Sequence, residues 1–369
     1  MIRRLLLLNG LAILGAVVNH STGWGFTAMF WWTDRYAAAS PPDFSQIGSA
    51  SYYALRAMEQ SIMFAIPAFL FVSGFFVAFA TERQRNTVGW EVIRSRVWSL
   101  LVPYLVWSAV IFSWRGLEGT IDAPLGYLTQ ILLGRAAEPY YYVPLLIQFL
   151  LISPLLVPLV RKHWKPVLLI AGVAQFVVHA ARYPVILGWD FPLTDHIVRY
   201  SPGFAVPQTI FWFVFGIFAG SHLPLLKSRL AHWKKVLPVL TIVLGLLALV
   251  EWELLFRHSA AQWLPPAVTA LDSFYAGAFI LTFLAWEKAS LPFAAPLERL
   301  GAMSFGVYLV HAPVLELVSR TAYHAVPWML GRQILHQPAL LATGVAVPLL
   351  MMALMNRSPV RAQYRFVFG

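Results

Sequence analysis

The chain has 369 residues, of which 59% are hydrophobic and 12% charged, and its mean hydropathy is +0.67. An average soluble chain carries roughly 25% charged residues, so the composition excludes a water-soluble globule and points to a polytopic membrane protein. The lack of cysteine rules out disulfides, a thiol nucleophile, thiolate metal sites and palmitoylation. The net charge of +11 is scattered between apolar spans, with neither a compact basic domain nor a reader motif, which argues against a nucleic-acid partner.

Apolar stretches near the roughly 20 residues needed to cross ~30 Å of hydrocarbon follow one another along the chain. They run Leu5 to Trp24, Ala57 to Ala80, Val97 to Trp114, Tyr140 to Val160, Val167 to Ala181, Pro207 to His222, Val236 to Val250, Trp263 to Trp286, Gly301 to Ser319 and Pro338 to Met355. The pattern predicts an all-α integral membrane protein, a bundle of about ten transmembrane helices forming one domain over residues 1–369. Pro184, Pro192, Pro202 and Pro207 punctuate the region between the fifth and sixth spans. Gly116 to Glu138 is polar enough to be a loop, with Leu125 to Leu133 lying along the interface. "MIRR" before an apolar run imitates a signal peptide, but no small-x-small cleavage site follows, so an uncleaved first helix is expected. No internal repeat of the transporter kind is visible.

Charge sets the orientation. With the amino terminus in the cytoplasm, that side collects Arg3, Arg4, Arg83, Arg85, Arg94, Arg96, Arg161, Lys162, Lys165, Lys227, Arg229, Lys234, Lys235, Lys288, Arg299, Arg357, Arg361 and Arg365, which is 18 of the 27 basic residues. Of the 16 acidic residues only Glu82, Glu91, Glu287 and Glu298 fall there. This bias predicts that both termini are cytoplasmic.

Polar residues inside the spans are the candidates for chemistry. In "RRLLLLNGLAILGAVVNHSTGW", His20 lies 15 residues beyond Leu5, or ~22 Å along a helix, toward the outer leaflet. Asn9 precedes it by 11 residues, which puts both on one helix face ~16 Å apart and fits a membrane-spanning tunnel. The alternative is an interhelical hydrogen bond with only a packing role. "FAIPAFLFVSGFFVAFA" carries Pro67, Ser73 and Gly74, where a Ser-Gly pair also serves simple close packing. In "LERLGAMSFGVYLVHAPVL", Ser304, Tyr308 and His311 fall at about 0°, 40° and −20° on the helical wheel, forming a narrow polar stripe that lines either a cavity or a structural seam. The histidines are dispersed and show no metal-ligand spacing, so no metal is expected.

Taken in order, these segments resemble the membrane acyltransferase 3 family. "GLAILGAVVNH" looks like its first helix ending in histidine, "IPAFLFVSGFF" its second helix, "RSRVWSLLVPYLVW" its basic loop leading into a Pro-Tyr third helix, and "LGAMSFGVYLVHAPVL" its late Gly-Ser-Tyr-His helix. "YYYVPLLIQFLLISPLL", which contains Tyr142, adds a fifth similarity. The resemblance implies transfer of an acetyl or other short acyl group from cytoplasmic acyl-CoA, a donor substrate rather than a bound cofactor, to a hydroxyl of a carbohydrate or lipid-linked cell-envelope acceptor. It further implies a multi-pass protein of the bacterial inner membrane.

On that reading His20 is the general base, since an imidazole titrates nearer neutrality than other side chains. Ser304, Tyr308 or the backbone at Ser73 and Gly74 donate to the oxyanion. Arg83, Arg85, Arg94 and Arg96 meet the CoA phosphates, while Asn9, Ser73, Tyr142 and His311 contact substrate. Asn9 departs from the arginine typical of the family, leaving Arg3 or Arg4 to supply charge. The competing class is a transporter or flippase in which His20, Glu59, Asp272, His311 and Glu316 act as relays.

Overall fold

A computed structural model describes residues 1–32, 42–81, 87–265 and 268–369. Its elements are helical throughout, with no strand among the described residues. In chain order they are α1 (Ile2–Thr27), α2 (Ala50–Ser61), α3 (Ala65–Ala80), α4 (Trp90–Leu117), α5 (Pro124–Leu133), α6 (Tyr142–Ala180), α7 (Arg182–Ile186) and α8 (Pro192–Tyr200). There follow α9 (Ile210–Ser221), α10 (Leu223–Trp233), α11 (Val236–His258), α12 (Ala270–Ala285), α13 (Ala294–Ala302), α14 (Ser304–Ala325), α15 (Gln333–Arg357) and α16 (Tyr364–Phe368). A single-turn 3₁₀ helix, Glu138–Tyr141, leads into α6.

By length and composition six helical stretches among the described residues can cross a membrane, or up to eight when the bent pairs α9–α10 (104°) and α13–α14 (83°) each count as one. The expected count of about ten differs for two physical reasons. Tyr140 to Val160 and Val167 to Ala181 are the two arms of α6, which breaks at His163 (φ −132°, ψ 46°), so a count by continuous helical length takes them as one. Trp263 to Trp286 holds only the 16 helical residues of α12.

The break at His163 reverses the chain. A straight helix would separate Gln148 from His179 by ~46 Å. Yet Gln148 Nε2 donates to the Phe204 carbonyl (2.9 Å) and His179 Nε2 bonds the Gln208 carbonyl (3.0 Å), four residues further on. The two arms of α6 therefore run antiparallel, with the Trp164 ring at the turn packing on Phe218 and His222 at the end of α9.

Glycines set the closest crossings. A Cβ on Gly74 would stand 2.1 Å from the Phe213 carbonyl oxygen, and one on Gly216 2.1 Å from that of Phe71, so α3 and α9 touch backbone to backbone. Gly10 and Gly301 do the same for α1 and α13, at 2.2 and 2.0 Å from the Leu297 and Leu6 oxygens. α1 is thereby wrapped by α3, α13, α14 and α15. Outward faces are apolar: on α11, Val239, Ile242 and Leu246 are each about 60% exposed, as lipid contact requires.

Prolines inside these helices remove an N–H and leave the carbonyl four residues earlier unpaired, which is costly in hydrocarbon. Hydroxyls fill the gaps. Pro154 strands the Leu150 carbonyl, which accepts from Ser153 Oγ (2.7 Å), and Pro158 strands that of Pro154, which accepts from Thr87 Oγ1 (2.7 Å). Pro313 strands the Leu309 carbonyl, and the hydroxyl that meets it builds the site described next.

Candidate active site

α14 and the Glu138–Tyr141 turn are clasped by two tyrosines. Tyr140 Oη donates to the Leu309 carbonyl freed by Pro313 (2.6 Å), and Tyr308 Oη donates to the Pro139 carbonyl. Both rings are buried, Tyr140 fully. The clasp fixes the residue beside Pro139, Glu138, opposite α1.

There Glu138 Oε2 lies 3.5 Å from His20 Nδ1. The His20 side chain is 13% exposed and that of Glu138 85%, so water reaches the pair from the carboxylate side. On the other flank the His20 ring sits 5.3 Å from the His311 ring, centroid to centroid, and His311 lies 6.0 Å from Tyr308. Tyr308 continues the array to Tyr142 (5.7 Å), which lies beside Ser73 and packs on Phe69. His311 is fully buried; its Nδ1 bonds the Val307 carbonyl (3.2 Å), and because a carbonyl only accepts, Nε2 carries the lone pair. That Nε2 has no hydrogen-bond partner among the described residues.

Four of the residues singled out from the sequence thus form one array that starts at His20: His311 packs on it, and Tyr308, Tyr142 and Ser73 follow in turn. The Tyr308 proton is committed to Pro139, which makes this residue a clamp rather than a free donor. Asn9 and Ser304 form a second, separate level. Asn9 Nδ2 donates to Ser304 Oγ (3.1 Å) and to the Gly301 carbonyl (3.3 Å), bridging the α13–α14 bend. Ser304 lies seven residues, or ~10 Å, from His311 along α14, too far to serve an oxyanion at His20. Both levels do face α14, as the shared helix face required, but buried Ile13 and Val17 separate them, so they do not form one polar tunnel. Gly74 is spent on the α9 contact.

Several charges at the opposite end are committed to local partners. Arg3 pairs with Glu298 (3.0 Å), while buried Arg4 donates to the Phe283 carbonyl (2.9 Å) at the end of α12 and covers the Phe283 ring. Neither replaces a cation beside Asn9. Arg94 is exposed on the first turns of α4, and Arg96 donates to the Phe76 carbonyl near the end of α3 (3.3 Å). Arg83 and Arg85 lie outside the described residues. No cluster of metal-ligating residues occurs among the described residues.

Sequence reasoning missed Glu138, because a carboxylate in a polar loop is commonplace. The one available signal was its place two residues ahead of the Tyr140 to Val160 span, in "EPYYYVP". Glu138 also lines a recess of about 350 Å³ with Gly134, Arg135, Tyr141, Gly203 and Phe204.

An imidazole with a carboxylate on one nitrogen, at the mouth of a recess in a membrane-embedded helical bundle, defines a site able to move a proton to or from a substrate hydroxyl. Residues 4–353, nearly the whole chain, match the family model of the acyltransferase domain of the acyltransferase 3 family, and the chain belongs to that family. It is a membrane acyltransferase of the non-aminoacyl kind. No curated protein and no solved structure matches it.

Proposed function

We propose that this enzyme transfers a short acyl group, acetyl or similar, from cytoplasmic acyl-CoA to a hydroxyl of a carbohydrate or lipid-linked envelope acceptor, with His20 as the general base. The observation that carries this reading is the Glu138–His20 contact at 3.5 Å. Glu138 favours the proton on Nδ1 and leaves the Nε2 lone pair for chemistry. Nε2 takes the acceptor proton as the acceptor oxygen attacks the thioester carbonyl. A C–O bond forms, the C–S bond breaks, and the proton returns to the departing CoA thiolate. Glu138 balances the charge on the imidazolium in between.

Two features support the donor side being opposite. Arg96 and Arg161 both reach carbonyls at the end of α3, and with Arg94, Lys162 and Lys165 they give that end a basic surface suited to CoA phosphates. The same residues satisfy the positive-inside rule, in keeping with both termini in the cytoplasm. The reversal in α6, with α12 counted as a short span, agrees with ten crossings of a bacterial inner membrane by one integral domain.

The transporter reading loses ground on partners. Glu59 pairs with Arg56 (2.5 Å), Asp272 completes the α12 capping box and accepts from Gln60 (2.8 Å), and Glu316 pairs with Arg320 (2.7 Å). Each carboxylate serves its own local structure. The test is acyl-CoA turnover by purified protein in nanodiscs: free CoA released only when acceptor is present supports acyl transfer. Solute movement across liposomes without any CoA release would replace it with transport.

A further inference from the structure

The recess beside His20 carries a cation that the proton chemistry does not use. α5 ends on Gly134 in the left-handed region (φ +66°), with its N–H on the Ile131 carbonyl (3.2 Å) and the Arg135 N–H on the Gln130 carbonyl (2.7 Å). A Cβ at Gly134 would stand 2.4 Å from Tyr141 Cα, so only glycine lets this helix end lie against the Glu138–Tyr141 turn. Arg135 is therefore held at the rim by its backbone. Its guanidinium is exposed and has no hydrogen-bond or ion-pair partner among the described residues.

The opposite rim is equally fixed. Arg182 donates to Gln208 Oε1 (2.5 Å) and to the Val268 carbonyl (2.6 Å), Gln208 Nε2 donates in turn to the Ser201 carbonyl, and Gln148 holds the Phe204 carbonyl. Two aromatic residues, Tyr141 and Phe204, line this recess together with Glu138, the partner of His20. Glu138 already faces an imidazole. Arg135 is the charge left over, and Arg182 adds a second positive field behind Tyr141.

Resting on the acyl-transfer reading, we propose that this recess is the acceptor site and that it selects a sugar bearing an anionic group, carboxylate or phosphate, which Arg135 reads in a bidentate contact while Tyr141 and Phe204 flank the ring. Placing the anion on Arg135 sets a neighbouring sugar hydroxyl toward His20.

The test separates binding from chemistry. Full-length His20→Ala protein in nanodiscs is titrated with three matched trisaccharides, one neutral, one with a hexuronate and one with a sugar phosphate. The anionic probes should bind on the order of tenfold tighter than the neutral one, as expected for a hydrogen bond to a charged group. That preference should shrink as salt is raised, collapse toward unity in His20→Ala/Arg135→Gln, and return in part with Arg135→Lys. The ratio between the two anionic arms tells carboxylate from phosphate. Equal affinities for all three probes, or a preference that survives Arg135→Gln, overturn the proposal. Should wild-type protein show no acyl transfer while the Arg135-dependent preference holds, the acyl-transfer reading fails and the anion site stands.

Discussion

Truncating His20 distinguishes a base from a strut. Among the described residues the side chain makes a single 3.5 Å polar contact and a ring contact, so His20→Ala should cost no more than about 1 kcal/mol of stability while turnover falls roughly 10²–10⁴-fold. Glu138→Gln keeps the shape but not the charge. Because Glu138 is largely exposed and water screens it, the loss should be about tenfold in kcat, with the Michaelis constant for donor unchanged. His311→Ala is the control, since it empties a fully buried site and should cost on the order of 2–4 kcal/mol but less turnover than His20→Ala. Steady-state kinetics at matched folded concentration decide; near-normal acyl transfer by a stable His20→Ala protein ends the proposed mechanism. His20 was legible in the sequence because a titratable ring in an apolar run is conspicuous. Glu138 was not, since its role arises only when the turn before α6 meets α1, a contact that no local pattern encodes. The helical wheel grouped Ser304, Tyr308 and His311 correctly on one face, yet a wheel gives direction without partner. It could not tell the Tyr308 hydroxyl bound to Pro139 from one bound to substrate.

At the scale of elements, proline placement decides where polar side chains go. Pro313 withholds an N–H from the Leu309 carbonyl, and Tyr140 crosses from the Glu138–Tyr141 turn to satisfy it. Tyr140→Phe should thus leave a buried carbonyl unpaired and cost about 1–3 kcal/mol, with loss of turnover because the turn that presents Glu138 loosens. Pro313→Ala supplies the missing N–H, so the double variant should regain much of that stability even though the tyrosine is still gone. A double-mutant cycle by thermal unfolding in detergent measures this coupling; strictly additive losses would show that the clasp does not hold the two elements. In "IPAFLFVSGFF" the sequence favours packing over chemistry, and in the fold the two residues divide. Gly74 gives the backbone contact with α9, whereas Ser73 turns toward Tyr142. Hydrophobic length also placed the reversal at His163, because the spans Tyr140 to Val160 and Val167 to Ala181 stop on either side of Arg161, Lys162 and Lys165.

For the whole molecule, that reversal and the charge bias make one joint statement about the membrane. If α6 crosses twice, its turn is a surface loop on the same side as the basic ends of α3 and α4. A continuous rod would instead have put Lys162 near its middle, in hydrocarbon. The chain contains no cysteine, so single cysteines report cleanly. Thr120 and Ser228 are exposed on segments expected on opposite faces, the first between α4 and α5, the second on α10 between Lys227 and Arg229. In intact cells a membrane-impermeant maleimide should modify Thr120→Cys and spare both Ser228→Cys and Lys162→Cys, which should react only after permeabilisation. Lys162→Cys that stays unreactive under both conditions would mean a single crossing and a smaller bundle. Labelling of Ser228→Cys from outside would invert the molecule, placing His20 and its recess on the cytoplasmic side and removing the separation of donor and acceptor on which the proposed transfer depends.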